Sequence, residues 1–310
     1  MRLPRPAAAA ALAAVLAACG DTAPPPPAPK PADVAFLADL EAFRQQRLQD
    51  LMRPDGWTAL TGLHWIEPGA HYAGSDRRNG LRLAMAPPHL GMFELRGGRV
   101  RFVPERGVPL TLDGAPLRGE AWLRTDADPA GPSRIGFDDG RGGAMVLRRG
   151  SRYALRTWHA DAPSRLNFSG LAHWPPDDSW RIAAKFVTHP PGRTLEIHDI
   201  TGNTFAAPNP GRVEFLRDGR TFALEAVEWG GQTLLIFADL TNAKGSYSAG
   251  RYLELKREAG TTAVVVDFNR SINPPCAFTP YTTCPLPPSS NRMELAVAAG
   301  EKAYTRRRTP

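Results

Sequence analysis

The chain has 310 residues, 42% of them hydrophobic, and a formal net charge of +7, enough material for one large domain or two small ones. Its 29 glycines and 31 prolines exclude a fold built of long helices. No apolar run reaches the ~20 residues that a membrane-spanning helix needs.

Residues 1–18 combine Arg2 and Arg5 with an alanine- and leucine-rich run, and Leu16-Ala17-Ala18 then precede Cys19. A charged start, a short apolar stretch and small residues before a cysteine read as a signal peptide with a lipidation site at Cys19. The expected mature chain starts there, and loss of Arg2 and Arg5 takes the charge from +7 to +5. Residues 19–31 follow as a proline-rich linker, extended by ~3.1 Å per residue. The expected location is the cell envelope, lipid-anchored on the periplasmic face of the inner or the outer membrane. The membrane is then a partner through the anchor, and the basic charge favours anionic envelope material, not nucleic acid.

Residues 32–53 predict an amphipathic helix, with Val34, Leu37, Leu40, Phe43, Leu48 and Leu51 near a 3.6-residue spacing, Asp33 as its cap and Pro54 beyond its end. From Trp57 the pattern changes to short runs with period-two alternation. Strands are expected at 99–103, 144–147, 153–158, 182–187, 194–200, 212–216, 221–227, 233–238, 252–256 and 262–268. Turn signals at Glu67-Pro68-Gly69, Arg96-Gly97-Gly98, Asp113-Gly114, Asp218-Gly219 and Gly230-Gly231 separate the runs. The fold class is mainly β, a sandwich or partly closed barrel carrying an N-terminal amphipathic helix. The β-rich domain spans 32–302, with a subdivision near 150, and 303–310 form a basic tail containing Arg306, Arg307 and Arg308.

The C-terminal segment is the most unusual stretch. Asp267-Phe268-Asn269 ends a strand, and Asn273-Pro274-Pro275-Cys276-Ala277-Phe278-Thr279, Cys284-Pro285-Leu286-Pro287-Pro288, Asn291 and Ala299-Gly300-Glu301-Lys302 follow. With Cys19 lipidated, Cys276 and Cys284 are an even remainder in an oxidising compartment, which favours a disulfide contributing ~2.5 kcal/mol. The prolines stiffen the loop and remove donors, while asparagine side chains can hold the spare carbonyls. Such a loop reads either as a structural cap or as the wall of a ligand-lined cleft. Tyr247, Arg251, Asp267, Asn269, Asn273 and Asn291 are the ligand-binding candidates, and Tyr247, Arg251, Asp267 and Asn273 are expected to gather into one polar cluster.

These motifs, with Gly245-Ser246-Tyr247-Ser248-Ala249-Gly250-Arg251-Tyr252, resemble the bacterial and archaeal family called domain of unknown function sixteen-eighty-four. Upstream matches are Trp57, Leu60, Gly62, Leu63 and Trp65, the Arg149-to-Arg156 run, Phe168-x-Gly170-Leu171, Trp180-x-Ile182-x-Ala184-x-Phe186 and Asp239-x-Thr241. The resemblance implies a compact β-rich domain, often on exported lipoproteins, with no established activity. Where such chains tend to carry an acidic residue after the Leu-Arg strand, this one has His159, with Asp161 two places on.

Other chemistries find less support. Ser248 sits in Ser246-Tyr247-Ser248-Ala249-Gly250, which lacks the first glycine of a serine-nucleophile elbow. No histidine lies in the segment holding Cys276 and Cys284 to act as a base. His64 and His71 are the one upstream pair within a short span, and no metal-ligand spacing, phosphate loop or dinucleotide fingerprint occurs, so neither metal nor cofactor is expected. The leading expectation is a lipoprotein binding a small or polymeric envelope ligand. The alternatives are a hydrolase or transferase of envelope material, with Asp239 or Asp267 as base and Arg251 and Tyr247 orienting substrate, or a structural assembly partner.

Overall fold

The computed structural model describes residues 33–305, apart from Ala259. The expected signal peptide, Cys19, the proline-rich residues 19–31 and the three C-terminal arginines lie outside the described residues. The chain is mainly β. Helix α1 (Val34–Leu51) is followed by β1 (Leu60–Ile66), β2 (Gly69–Gly74), β3 (Leu81–Arg82), β4 (Gly91–Arg96), β5 (Arg99–Pro104), β6 (Thr111–Leu112) and β7 (Ala115–Pro116). Next come β8 (Ala121–Leu123), β9 (Ile135–Phe137), β10 (Gly142–Arg149) and β11 (Arg152–His159). The second half holds β12 (Arg181–Thr188), β13 (Thr194–His198), β14 (Thr204–Pro208), β15 (Gly211–Arg217), β16 (Arg220–Trp229), β17 (Gln232–Phe237), β18 (Arg251–Glu254) and β19 (Ala263–Asp267).

Two sheets make the first half: a six-stranded one in the order β1-β11-β10-β9-β6-β7 and a five-stranded one in the order β3-β2-β4-β5-β8. They enclose a core that includes Ile66, Phe93, Phe102, Ile135, Val146 and Leu155. Because β11 pairs with both β1 and β10, this set of strands runs on to His159. The second half is a curled six-stranded sheet in the order β18-β17-β16-β15-β12-β19. Its concave face buries Phe186, Val213, Leu224, Phe237 and Phe268, and Val297 and Ala299 of the C-terminal segment fill the same core. The β13–β14 hairpin packs Ile197 and Ala207 against Val227 and Ile236.

The turns follow from local chemistry. Asp218 and Gly219 have φ of 52° and 73°, and Gly230 and Gly231 have 58° and 78°, each pair making a two-residue connection between paired strands. Positive φ at both central positions matches the right-handed twist of the flanking strands.

Helix α1 departs from the expected stripe. Asp33 does accept a hydrogen bond from the Ala35 N–H at 2.9 Å. The buried apolar residues, however, are Phe36, Leu40 and Leu51, while Val34 and Leu37 are exposed. Two arginines continue the docking face. Arg44 donates to the Trp174 carbonyl at 3.4 Å, and Arg47 to Glu301 at 3.0 Å and to the Asn273 carbonyl at 2.9 Å. An apolar periodicity cannot reveal a face held partly by guanidinium groups.

Candidate functional site

Arg251 and Asp239 meet in the sealed interior. Their side chains are fully shielded from solvent and lie 2.8 Å apart. Arg251 also donates to the carbonyls of Ala299 and Val297. Burial lowers the Arg251 pKa, and Asp239 opposes that shift. Asp239 in turn accepts from the Thr241 N–H, the Thr241 hydroxyl and the Val297 N–H. This network ties β17, β18 and the C-terminal segment together.

The asparagines brace backbone. Asn291 accepts from the Glu225 N–H at 2.7 Å and donates to the carbonyls of Glu225 and Ile236 at 2.8 and 2.9 Å. Asn269 accepts from the Asp177 N–H and donates to its carbonyl, and it also donates to Asp267 at 2.9 Å. Asn273 donates its N–H to Glu301 at 2.7 Å and its side-chain amide to the Lys302 carbonyl at 2.7 Å. Asn269, Asn273 and Asn291 are all buried. Tyr247 packs beside Phe278 and Leu171, and its hydroxyl reaches Cys276. The candidates are thus distributed over several separate networks, and Asp267 is the one that borders a large open cleft.

The expected disulfide is not formed: Cys276 and Cys284 are free thiols. They are adjacent, the Cys276 N–H donating to Cys284 Sγ at 3.1 Å. The Cys276 thiol is pushed up by its hydrogen bond to Cys284 and by burial. For Cys284, burial acts upward, but hydrogen bonding with Cys276, Thr282 and Tyr252 outweighs it and brings the thiol down.

A large cleft, of about 850 Å³, follows the seam where the curled sheet fails to close. Strands β18 and β19 are its two ends, and among the described residues the two strands are not paired. At one end Tyr252 exchanges backbone bonds of 2.9 and 2.8 Å with Ile272, which narrows the gap. Further along, β19 leaves one edge free. The Phe186 N–H donates to the Thr262 carbonyl, so even-numbered residues of β19 bond toward β12, and Ala263, Val265 and Asp267 turn their backbone groups outward. Val265 is 55% exposed there. Asp39 and Phe43 of α1 overhang the cleft, and Arg270 pairs with Asp39.

A second cleft of about 600 Å³ runs on from the first between α1 and the first six-stranded sheet. The two share Phe43, Gln232, Glu254, Lys256 and Ile272, so they form one continuous groove. Trp57, Leu60, Met145 and Arg156 line the far end. Arg156 is 6% exposed, its side chain makes no hydrogen bond or ion pair among the described residues, and its Nε is shielded. Its guanidinium lies over the Trp57 ring, 5.3 Å from the centroid. Burial brings its pKa down to about 10, and the nearby positive charge of Arg149 acts the same way. The expected sites do not include Arg156. The signal was present in the sequence, as a charge at the centre of the apolar run from Tyr153 to Trp158.

Residues 166–302 match the family described as Protein of unknown function (DUF1684). The chain belongs to this family. The DUF1684 segment takes in β12 to β19 and the cysteine- and proline-rich loop, while α1, Trp57 and Arg156 precede it. The chain is also similar to an uncharacterized protein from Haloarcula marismortui solved in solution by NMR. That similarity has 31% identity, covers 44% of this chain and 78% of that one, and has a TM-score of 0.37. None of the curated proteins matches.

Proposed function

We propose that this DUF1684 protein is a lipid-anchored lipoprotein of the cell envelope whose β domain binds an extended ligand, small or polymeric, in the groove beneath α1. One observation carries the reading: the seam between β18 and β19 opens into a groove that continues to Trp57 and Arg156, with most of its charged residues on the rim. A pocket with apolar walls and a few placed polar groups is the usual form of a ligand site. A hydrolase or transferase that uses Asp239 as base and Arg251 to orient substrate is less well supported, because the two are sealed from solvent and engaged with each other. The anchor rests on the sequence around Cys19. In an oxidising envelope the adjacent Cys276 and Cys284 would close to a disulfide, which thiol counting on protein taken from membranes checks.

Native mass spectrometry of protein extracted from membranes tests the binding reading. The expected result is a bound small mass on the wild type that is lost in Val265→Arg, a change at an exposed wall of the cleft. Bare protein in both samples overturns it. The same spectra show whether the mature chain starts at an acylated Cys19.

A further inference from the structure

We infer that Arg156 is an anchor for an oxyanion, so that the groove takes a ligand with a carboxylate or phosphate head and an apolar chain. This rests on the groove-binding reading above. Arg156 is buried, its Nε is shielded and without a partner, and a buried charge is costly unless something pairs with it. The carboxylates nearest in the same cleft do not serve. Asp55 is held by Arg53 at 3.1 Å and by Arg134 at 2.9 Å, and Asp50 accepts from Gln46 at 3.1 Å. Glu254 sits on the exposed rim and makes no ion pair with Arg156. Arg149 is occupied by Asp126 at 2.7 Å and Thr283 at 2.7 Å, so it adds positive potential without needing a further partner.

The surroundings suit an oxyanion rather than another side chain. Arginine presents a planar fork of donors that matches carboxylate and phosphate geometry. The cross-strand neighbours of Arg156 are Met145 on β10 and Leu63 on β1, and neither can accept its protons. Trp57 and Leu60 supply apolar walls at this end, and Phe43 and Ile272 continue them toward the seam. An acyl or alkyl chain laid along those residues leaves the charged end against Arg156 and the rest of the molecule toward the open seam.

The test uses the mature chain from Cys19 onward, produced in the cytoplasm without residues 1–18 so that it stays unacylated and no detergent is present. Dodecanoate, dodecyl phosphate and uncharged dodecanol are titrated by calorimetry below their aggregation concentrations. The expected result is that one or both anions bind at least about tenfold more tightly than the alcohol, and that Arg156→Met removes this preference. The carboxylate and phosphate arms identify the head group. Arg156→Met is also expected to melt about 2–4 °C higher than wild type, because it removes an unpaired buried charge. A melting temperature that falls instead assigns Arg156 a structural role and overturns the anchor. Equal binding of anions and alcohol, blocked by Val265→Arg, overturns the anchor and leaves the groove reading standing. No binding of any of the three overturns both.

Discussion

Asp239 and Arg251 show how a polar pair can be a girder rather than a reagent. Each is fully buried, and each spends its hydrogen bonds on backbone as well as on the other. Removing one partner strands the other charge in a medium that cannot solvate it. Asp239→Ala is therefore expected to cost about 3–5 kcal/mol, read as a lowered urea midpoint. Asp239→Ala combined with Arg251→Met should lose less than the two single changes summed, since no lone charge is left. A loss under about 1 kcal/mol for Asp239→Ala would show that the pair bears little of the structure. The same distinction applies to the asparagines. Asn291 is the type of residue a ligand needs, but it is also the type a break in a strand ladder needs, and here its side-chain amide is engaged with the Glu225 and Ile236 backbone. Residue type alone does not tell the two uses apart.

At the scale of elements, what could be read in advance is what depends on neighbours in sequence. Asp218-Gly219 and Gly230-Gly231 turn because positive φ is a local property, and the strand β15 and most of β16 show their period-two burial directly. The groove was hidden because residues 43, 57, 145, 156, 254 and 272 meet only once α1 is docked across both halves. That docking has a pH dependence of its own. His173 lies against the α1 arginines and bridges by backbone to Glu301. Burial brings its pKa down to about 4, Arg44 and Arg47 add to the effect, and Glu41 opposes it. In the unfolded chain the ring protonates near ~6.5, so between these values the unfolded state binds more protons and stability falls as pH falls. The ring is only partly buried, which limits the loss to about 1–2 kcal/mol. Urea midpoints between pH 7.5 and 4.5 should therefore drop more steeply for wild type than for His173→Gln. Parallel pH profiles for the two proteins would remove His173 from this role.

On the scale of the whole molecule, the two large cores draw on separate stretches of chain, one from Ile66 to Leu155 and the other from Trp180 to Ala299. What joins them is small. Leu51 of α1 and Trp57 meet Ala277 and Phe278 of the cysteine- and proline-rich loop, and Trp57, Leu60 and Trp158 meet Tyr281 of the same loop. Phe278 is central to the joint. It is 1% exposed, its ring is 6.1 Å from Phe168 and 5.1 Å from Tyr304, and Arg47 lies 5.6 Å over it. The stiffness of the loop thus has a use that neither a cap nor a cleft wall describes: proline-fixed backbone holds aromatic side chains at set positions between two bodies. Phe278→Ala should remove about 3–5 kcal/mol of packing at that joint while leaving both main cores intact. The expected consequence is loss of cooperativity. Urea unfolding that is one transition in wild type becomes two in the variant, with tryptophan fluorescence and far-ultraviolet circular dichroism no longer coinciding. If the variant unfolds in a single transition with both probes superimposed, the halves are coupled through other contacts, and the loop is not the joint.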